Sequence, residues 1–400
     1  MMVVGENNTN SASTQSSDAA AAPSSSSLFH YYRHKVVVVT GGGSGIGKAL
    51  VYAFANYGAR CIVVDRDGTA ADAVARTLDY YYSPSLSIHT SRGDGSPLFR
   101  DCATYHLAYH CDVSDAPQVR TMIASIKARC HSGIDIYCSN AGIIHPPKHD
   151  DDLRNKNQNV AIHTDEEWMK ILQINLLSHV IAARELLPEW TSSSLSSSVA
   201  VARKTYHPVG GDSQPTHNNT PVMVVTASAA GLLTQIGDAS YGVSKAGVIS
   251  FAEHLAITHG SSSSSSEEDG RNEDNHNCPS IQVHCLCPQA VRTPFLHQLI
   301  PNTSATATAA TTATTTHNTN SALVDGMLSP ETVAECTLRT IVNNPTAFYI
   351  FPHPQVSKYV QRKARNHTRW IQGMQQLRRR LMLPPQQQQT KRRDRVRSKL

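Results

Sequence analysis

Three residues past the middle of the chain, Ser228, Tyr241 and Lys245, have the types and spacing for proton transfer. Tyr241 and Lys245 are four positions apart, so on a helix they project from one face about a turn from each other. A phenol titrates near 10, roughly three units too high for easy proton exchange at neutral pH, a deficit of about 4 kcal/mol. A neighbouring ammonium narrows that deficit by favouring the phenolate. Ser228 ends an apolar run 13 residues before Tyr241, where its hydroxyl can hold a reacting oxygen while the tyrosine exchanges the proton. A Tyr-x-x-x-Lys pair alone occurs in many proteins, so its weight depends on what accompanies it.

A second constellation lies near the start. Val36-Val37-Val38-Val39-Thr40 runs into Gly41-Gly42-Gly43-Ser44-Gly45-Ile46-Gly47, which reads as a buried strand, a glycine-rich turn and the start of a helix. Glycines let backbone approach a pyrophosphate, and a helix N-terminus offers it amide donors and a positive dipole. The spacing is T-G-x-x-x-G-x-G through Gly41, Gly45 and Gly47. Asp65 closes the next β-branched run, 24 residues after Gly41. There a carboxylate can accept bonds from ribose hydroxyls and repel a 2′-phosphate, so NAD is expected rather than NADP; Arg66 beside it pulls the other way.

With these motifs in this order, the sequence resembles the short-chain dehydrogenase/reductase family from residue 35 to about 350. The resemblance implies further roles. Asp112 and Val113 follow the third strand, where the family's acidic residue contacts the adenine; Asn140-Ala141-Gly142 follow the fourth and would line the cofactor. Asn175 stands where the family places an asparagine supporting a water-linked proton relay to the lysine. Pro288, Val291 and Thr293 fit the family's P-G-x-V-x-T, with Thr293 bonding the nicotinamide carboxamide, but Gln289 replaces the glycine. Gly41, Ser44, Gly45, Ile46, Gly47, Asp65, Tyr241 and Lys245 complete the implied cofactor set. The implied activity is NAD(H)-dependent interconversion of a secondary alcohol and a ketone by hydride transfer, with Tyr241 as acid/base and the cationic nicotinamide further lowering its pKa. The intact Ser228, Tyr241 and Lys245 set favours carbonyl over C=C chemistry. Lipid-derived substrates, including CoA esters, a broad carbonyl reductase, and a catalytically weak NAD-binding scaffold all stay open. No metal is expected, and His145, just after the Asn-Ala-Gly turn, reads as an ordinary loop histidine, with lining of the substrate pocket the alternative.

The elements that must position these residues are legible as short β-branched runs alternating with helical patterns. Strands are expected at 35–40, 60–65, 106–111, 134–139, 222–228, 281–287 and 347–351. The fold class is therefore α/β: a single doubly wound Rossmann-type domain, a seven-stranded parallel sheet with helices on both faces. Thr164 to Glu167 has capping-box spacing and opens a helix that Pro188 is expected to end; a second long helix is expected over 240–258. Both carry more apolar residues than one buried stripe needs, and the family commonly pairs these helices in a homodimer or tetramer.

Composition bounds the rest. The 400 residues are 40% apolar and 6% aromatic, which suits a smaller folded body carrying polar padding. Segments 1–27, 83–97, 147–160, 191–220, 260–277 and 301–321 are low-complexity and read as surface insertions or, for residues 1–34, a disordered N-terminal segment. Residues 35–350 form the expected dinucleotide-binding domain, 351–385 a basic helical extension with one helix over 356–381, and 386–400 a basic tail. Residues 361–400 carry net +12 against −7 for the remainder, so the basic charge sits at one end and no nucleic-acid-binding domain is expected. Apolar runs are too short for a membrane span of about 18–20 residues. Nine scattered cysteines argue against a disulfide framework, and Cys285 and Cys287 read as buried strand residues. The chain ends Ser398-Lys399-Leu400, the form read by the peroxisomal import receptor, so peroxisomal location is expected, with cytoplasm the alternative.

Overall fold

The computed structural model describes residues 24–82, 105–130, 133–145, 163–192, 220–234, 236–260, 280–298 and 325–381. The low-complexity segments 83–97, 147–160 and 301–321 and the tail 386–400 lie outside them, as do nearly all of 191–220 and 260–277.

Helix α1 (Ser25–Tyr32) leads into β1 (Val36–Thr40), α2 (Gly45–Asn56), β2 (Arg60–Asp65), α3 (Gly68–Tyr82), β3 (Leu107–His110), α4 (Ala116–Arg129) and β4 (Ile136–Ser139). Then follow α5 (Asp165–Leu172), a π-helical turn (Gln173–Leu177), α6 (Ser178–Trp190), β5 (Val222–Thr226), α7 (Ala229–Leu233) and α8 (Ala239–His259). The chain continues through β6 (Gln282–Leu286), α9 (Pro294–His297), α10 (Pro330–Asn343), β7 (Tyr349–Ile350), α11 (Pro354–Arg365) and α12 (His367–Leu381). All seven expected strands form, each trimmed by up to three residues except β2, in one parallel sheet of order β3-β2-β1-β4-β5-β6-β7.

Side chains alternate across a strand, so each strand feeds two cores. Val36 and Val38 of β1 join Met223 and Val225 of β5 on the face covered by α4, α6 and α8. Val37 and Val39 join Val222 and Val224 on the other face, under α2, α3 and α10. The strand order reverses between β1 and β4, and the crevice at their C-terminal ends is where an open α/β sheet binds ligands.

Four expectations are corrected. Residues 25–32 are helical rather than disordered: Ser24 caps α1, and Leu28 and Tyr32, one turn apart, are fully buried. The Tyr32 hydroxyl donates to the Leu338 carbonyl at 2.7 Å, and its ring meets Phe54 edge-on at 5.2 Å. Pro188 does not end its helix, which continues to Trp190. Proline there forfeits one bond to a carbonyl four residues back, while Trp190 is buried and donates from Nε1 to the Ile134 carbonyl at 2.9 Å. The same helix carries an unforeseen π-helical turn at Gln173–Leu177. The C-terminal helix is two helices: Asn366 leaves helical geometry (φ −154°, ψ 91°), and its side chain accepts from the Arg369 amide at 2.9 Å.

Cys285 and Cys287 are fully buried on one face of β6, Sγ to Sγ 3.7 Å, and the seven described cysteines are all free. Among the described residues no helix is long and apolar enough to cross a membrane.

Candidate active site

The glycine turn between β1 and α2 is shaped by contacts only glycine permits. Gly41 and Gly45 have φ of +66° and +52°, in the left-handed region. A Cβ on Gly47 would lie 2.1 Å from the Gly41 carbonyl oxygen and 2.7 Å from Asn140 Nδ2. Asp65 at the end of β2 folds back over this turn: Oδ2 accepts from the Gly43 amide at 2.9 Å and Oδ1 from the Asp67 amide at 3.0 Å. Its carboxylate is thereby fixed at the rim of a cleft of about 290 Å³.

Thr40 and Asn140 stitch β1 to β4 at the switch point. Thr40 Oγ1 accepts from the amides of Asn140 (2.9 Å) and Ala141 (3.1 Å), while Asn140 Nδ2 donates to the Thr40 carbonyl at 3.0 Å. Thr226 on β5 extends the network, its hydroxyl donating to Asn140 Oδ1 at 3.2 Å. Thr40 is the threonine of the T-G-x-x-x-G-x-G motif, whereas Thr226 was not singled out by the sequence; a hydroxyl at the C-terminal end of an apolar strand was the available signal.

Ser228 follows β5 and caps α7, its Oγ accepting from the Ala230 amide at 3.1 Å. The short helix α7 lies against α8 backbone to backbone, since a Cβ on Gly231 would fall 2.6 Å from the Lys245 carbonyl group. Asp238 caps α8 by accepting from the amides of Ser240 (2.8 Å) and Tyr241 (3.2 Å), which fixes where the tyrosine emerges. Lys245, one turn on, is buried and donates from Nζ to the Thr226 carbonyl at 2.8 Å; Nζ lies 5.9 Å from the Tyr241 ring centre. Asn175 sits in the π-helical turn, with Oδ1 accepting from the Ile143 amide (2.7 Å) and Nδ2 donating to the Ile143 carbonyl (2.9 Å) and Ser244 Oγ (3.1 Å). It touches the loop bearing the Asn-Ala-Gly turn rather than Lys245 itself. A Cβ on Gly142 would lie 3.3 Å from Asn175 Oδ1 and 3.4 Å from Lys245 Nζ, so glycine keeps the two side chains adjacent.

Burial sets the electrostatics. It pushes the Tyr241 phenol up to about 12, with Asp238 adding to the rise and the Ser228 hydroxyl acting against it. It pushes the Lys245 ammonium down to about 8, against the raising influence of Cys285 and Cys287. The lowered phenol expected from sequence is thus not a property of the chain alone, because loss of hydration outweighs the lowering bond from Ser228. His179, fully buried and bonded through Nδ1 to Ser139 Oγ at 2.6 Å, is held at about 3 by burial and then by Lys245.

The cleft is walled by Gly41, Ser44, Gly45, Ile46, Asp65, Asp112, Val113, Asn140, Ala141, Gly142, Ser228, Tyr241, Lys245, Pro288, Val291 and Thr293. Gly47 and Asn175 lie behind the wall and shape it. Phe295, on the segment after Thr293, faces Tyr241 with ring centres 5.8 Å apart. Gln289 turns its amide to Asp325 (Nε2 to Oδ2, 3.1 Å), and its backbone amide donates to His353 Nδ1 at 3.2 Å. It lines both the cleft and a neighbouring groove without plugging the glycine turn. His145 does not line the cleft; it packs against His163, with ring centres 4.6 Å apart and planes tilted by 36°.

A dinucleotide fits this arrangement on three observations: a cradle a Cβ would fill, amides at the start of α2, and a carboxylate fixed at the rim. The family model described as short chain dehydrogenase matches residues 35–94 and 99–203. The chain is similar to the sex determination protein tasselseed-2 of Zea mays, 24% identical over 259 residues, which are 63% of this chain and 54% of that protein. It is also similar to the (3R)-3-hydroxyacyl-CoA dehydrogenase of Mus musculus, 24% identical over 213 residues, 53% of this chain and 63% of that one. The chain thus spans between about half and two-thirds of the length of these relatives. In fold it matches the structure of a short chain dehydrogenase/reductase from Burkholderia phymatum in complex with NAD, with TM-score 0.55 and 20% identity over 84% of this chain and 95% of that one. In fold the chain is similar to the short-chain dehydrogenases/reductases, and the segment matched by the short chain dehydrogenase model carries the glycine turn, Asp65, the Asn-Ala-Gly turn and Asn175.

Proposed function

We propose that the protein is an NAD(H)-dependent oxidoreductase interconverting a secondary alcohol and a ketone. The observation that carries this reading is the convergence of Ser228, Tyr241 and Lys245 on the cleft walled by the glycine turn and Asp65. The nicotinamide, when bound, supplies the hydride acceptor or donor and a positive charge that favours phenolate. Ser228 holds the substrate oxygen, Tyr241 exchanges its proton, Lys245 places positive charge behind the phenol, and Asn175 keeps the loop after β4 and the lysine in register.

NAD rather than NADP follows from the Asp65 carboxylate, which ribose hydroxyls can approach and a 2′-phosphate cannot without repulsion. In a fluorescence titration the wild type is expected to bind NADH more tightly than NADPH, and Asp65→Ser to shrink that preference about tenfold or more, given that removal of a close like charge is worth about 1–3 pK units. A preference unchanged by the substitution would remove Asp65 from the coenzyme assignment.

A lipid-derived, anionic carbonyl compound such as a CoA ester is the substrate class favoured here. A groove of about 930 Å³ runs from Ser228 and Gln289 between α7 and the C-terminal helices. Leu233, Trp370 and Met374 give it apolar surface, and Lys358, Arg362 and Arg369 line it with positive charge. Combining Arg362→Ala with Arg369→Ala is expected to raise KM for a 3-ketoacyl-CoA by roughly tenfold, at about 0.5–1 kcal/mol for each exposed charge contact, and to leave KM for an uncharged ketone unchanged. Equal effects on both substrates would rule the groove out as the headgroup site.

The exposed Met169, Leu177, Val243 and Ile257 on α5, the π-helical turn and α8 support a homodimer or tetramer built on these helices. Peroxisomal import through Ser398-Lys399-Leu400 remains part of the proposal, and loss of these three residues is expected to shift the protein to the cytosol.

A further inference from the structure

A cluster outside the cofactor cleft brings together His145, His163 and Asp238, one residue from each of three segments. His145 ends the described loop after β4, His163 precedes the Thr164 cap of α5, and Asp238 caps α8. The side chains are 12%, 10% and 9% exposed, so the carboxylate is more than nine-tenths buried.

The two oxygens of Asp238 have different occupations. Oδ1 takes all the capping bonds, from the amides of Ser240 and Tyr241 and from the Ser240 hydroxyl at 2.6 Å. Oδ2 is buried with no hydrogen-bond partner, and so is His145 Nε2. A buried carboxylate oxygen left unbonded costs free energy unless something positive faces it. His145 Nδ1 stands 3.6 Å from Oδ2, and His163 Nε2 stands 3.4 Å from Oδ1. Both separations are longer than a charge-assisted hydrogen bond of about 2.7–2.9 Å. Each is close to the ligand-to-ligand spacing of about 3.4 Å around an ion with bonds of about 2.0–2.2 Å, the two histidines facing different oxygens of the one carboxylate. One ligand atom from each residue lies within 4.8 Å of the other two.

We propose that His145, His163 and Asp238 form a binding site for a divalent transition-metal ion, with Zn²⁺ the best fit. Two imidazole nitrogens and a carboxylate oxygen are borderline ligands that suit Zn²⁺ and disfavour Mg²⁺ and Ca²⁺, which require mostly oxygen. Three protein ligands leave a fourth position for water. An ion here would join the loop after β4, the start of α5 and the first turn of the helix bearing Tyr241 and Lys245, a positioning role independent of the hydride-transfer reading.

The test uses the full chain, stripped with a chelator, dialysed, and titrated with Zn²⁺ against a chromophoric zinc indicator. The wild type is expected to compete for one equivalent. Combining His145→Ala with His163→Ala is expected to weaken that binding at least about tenfold, the lower bound seen even for residues that only orient a ligand. Zn²⁺ should raise the thermal unfolding midpoint of the wild type and not of the variant. NADH titration of the same variant separates loss of the metal site from loss of fold. Absence of competition by the wild type, or undiminished binding by the folded variant, overturns the assignment, as does equal competition by Mg²⁺.

Discussion

Changing Tyr241 to Phe is expected to lower turnover of a secondary alcohol by about 10²- to 10⁴-fold, the usual contribution of a positioned general acid/base. NADH affinity should change little. Tyr241 is 9% exposed and packs with Ile144, Ile171 and Ala230, contacts that a phenylalanine ring reproduces. What the substitution removes is one hydroxyl, in contact with Ser228 and raised by burial to about 12. A residue with that pKa is a poor base unless positive charge arrives beside it. The wild-type rate should therefore depend on coenzyme being bound before proton transfer. Substrate turnover at the wild-type rate by Tyr241→Phe would remove the tyrosine from the chemistry.

Gly47→Ala is the second large effect. The added methyl would sit 2.1 Å from the Gly41 carbonyl oxygen, a distance no Cβ tolerates, and 2.7 Å from Asn140 Nδ2. Both neighbours belong to the stitched switch point, held by Thr40 on one side and Thr226 on the other. Neither is the loose end of a flexible chain. Overpacking of this kind costs about 1–3 kcal/mol, so coenzyme affinity should fall about 10- to 100-fold if the glycine turn opens to make room. Circular dichroism of the variant, which should retain the wild-type α/β spectrum, distinguishes a displaced turn from a collapsed sheet. NADH binding at wild-type strength would show that the turn does not hold the pyrophosphate.

The two substitutions probe different layers of what was legible in advance. Tyr241, Lys245 and Ser228 can be read from residue type and spacing because helical periodicity fixes the first pair and strand polarity fixes the third. Gly47 can be read because the motif needs a residue without a side chain. Neither reading reveals what surrounds them. The sequence pointed to a phenol pKa lowered by lysine, whereas the ammonium is turned to the Thr226 carbonyl and desolvation dominates. Asn175 was expected to serve the lysine through water; its protein contacts are with Ile143 and Ser244, from a π-helical turn that no periodicity announced. Gln289 was an open question in sequence, and its bond to Asp325 depends on a residue 36 positions away.

Local features can be read without the fold: seven strands from their β-branched runs, the capping box at Thr164, the glycine turn, Asp65 at a strand end and the tyrosine-lysine spacing. Each follows from interactions between residues close along the chain, where backbone sterics and hydrophobic period suffice. The tertiary structure decided the rest. It decided that α1 docks through Leu28 and Tyr32, that Pro188 is carried inside a helix anchored by Trp190, and that Asp238 meets two histidines from distant loops. These depend on which surfaces the folded sheet brings together, where burial of apolar side chains such as Leu28 and Tyr32 outweighs any preference written locally in the chain.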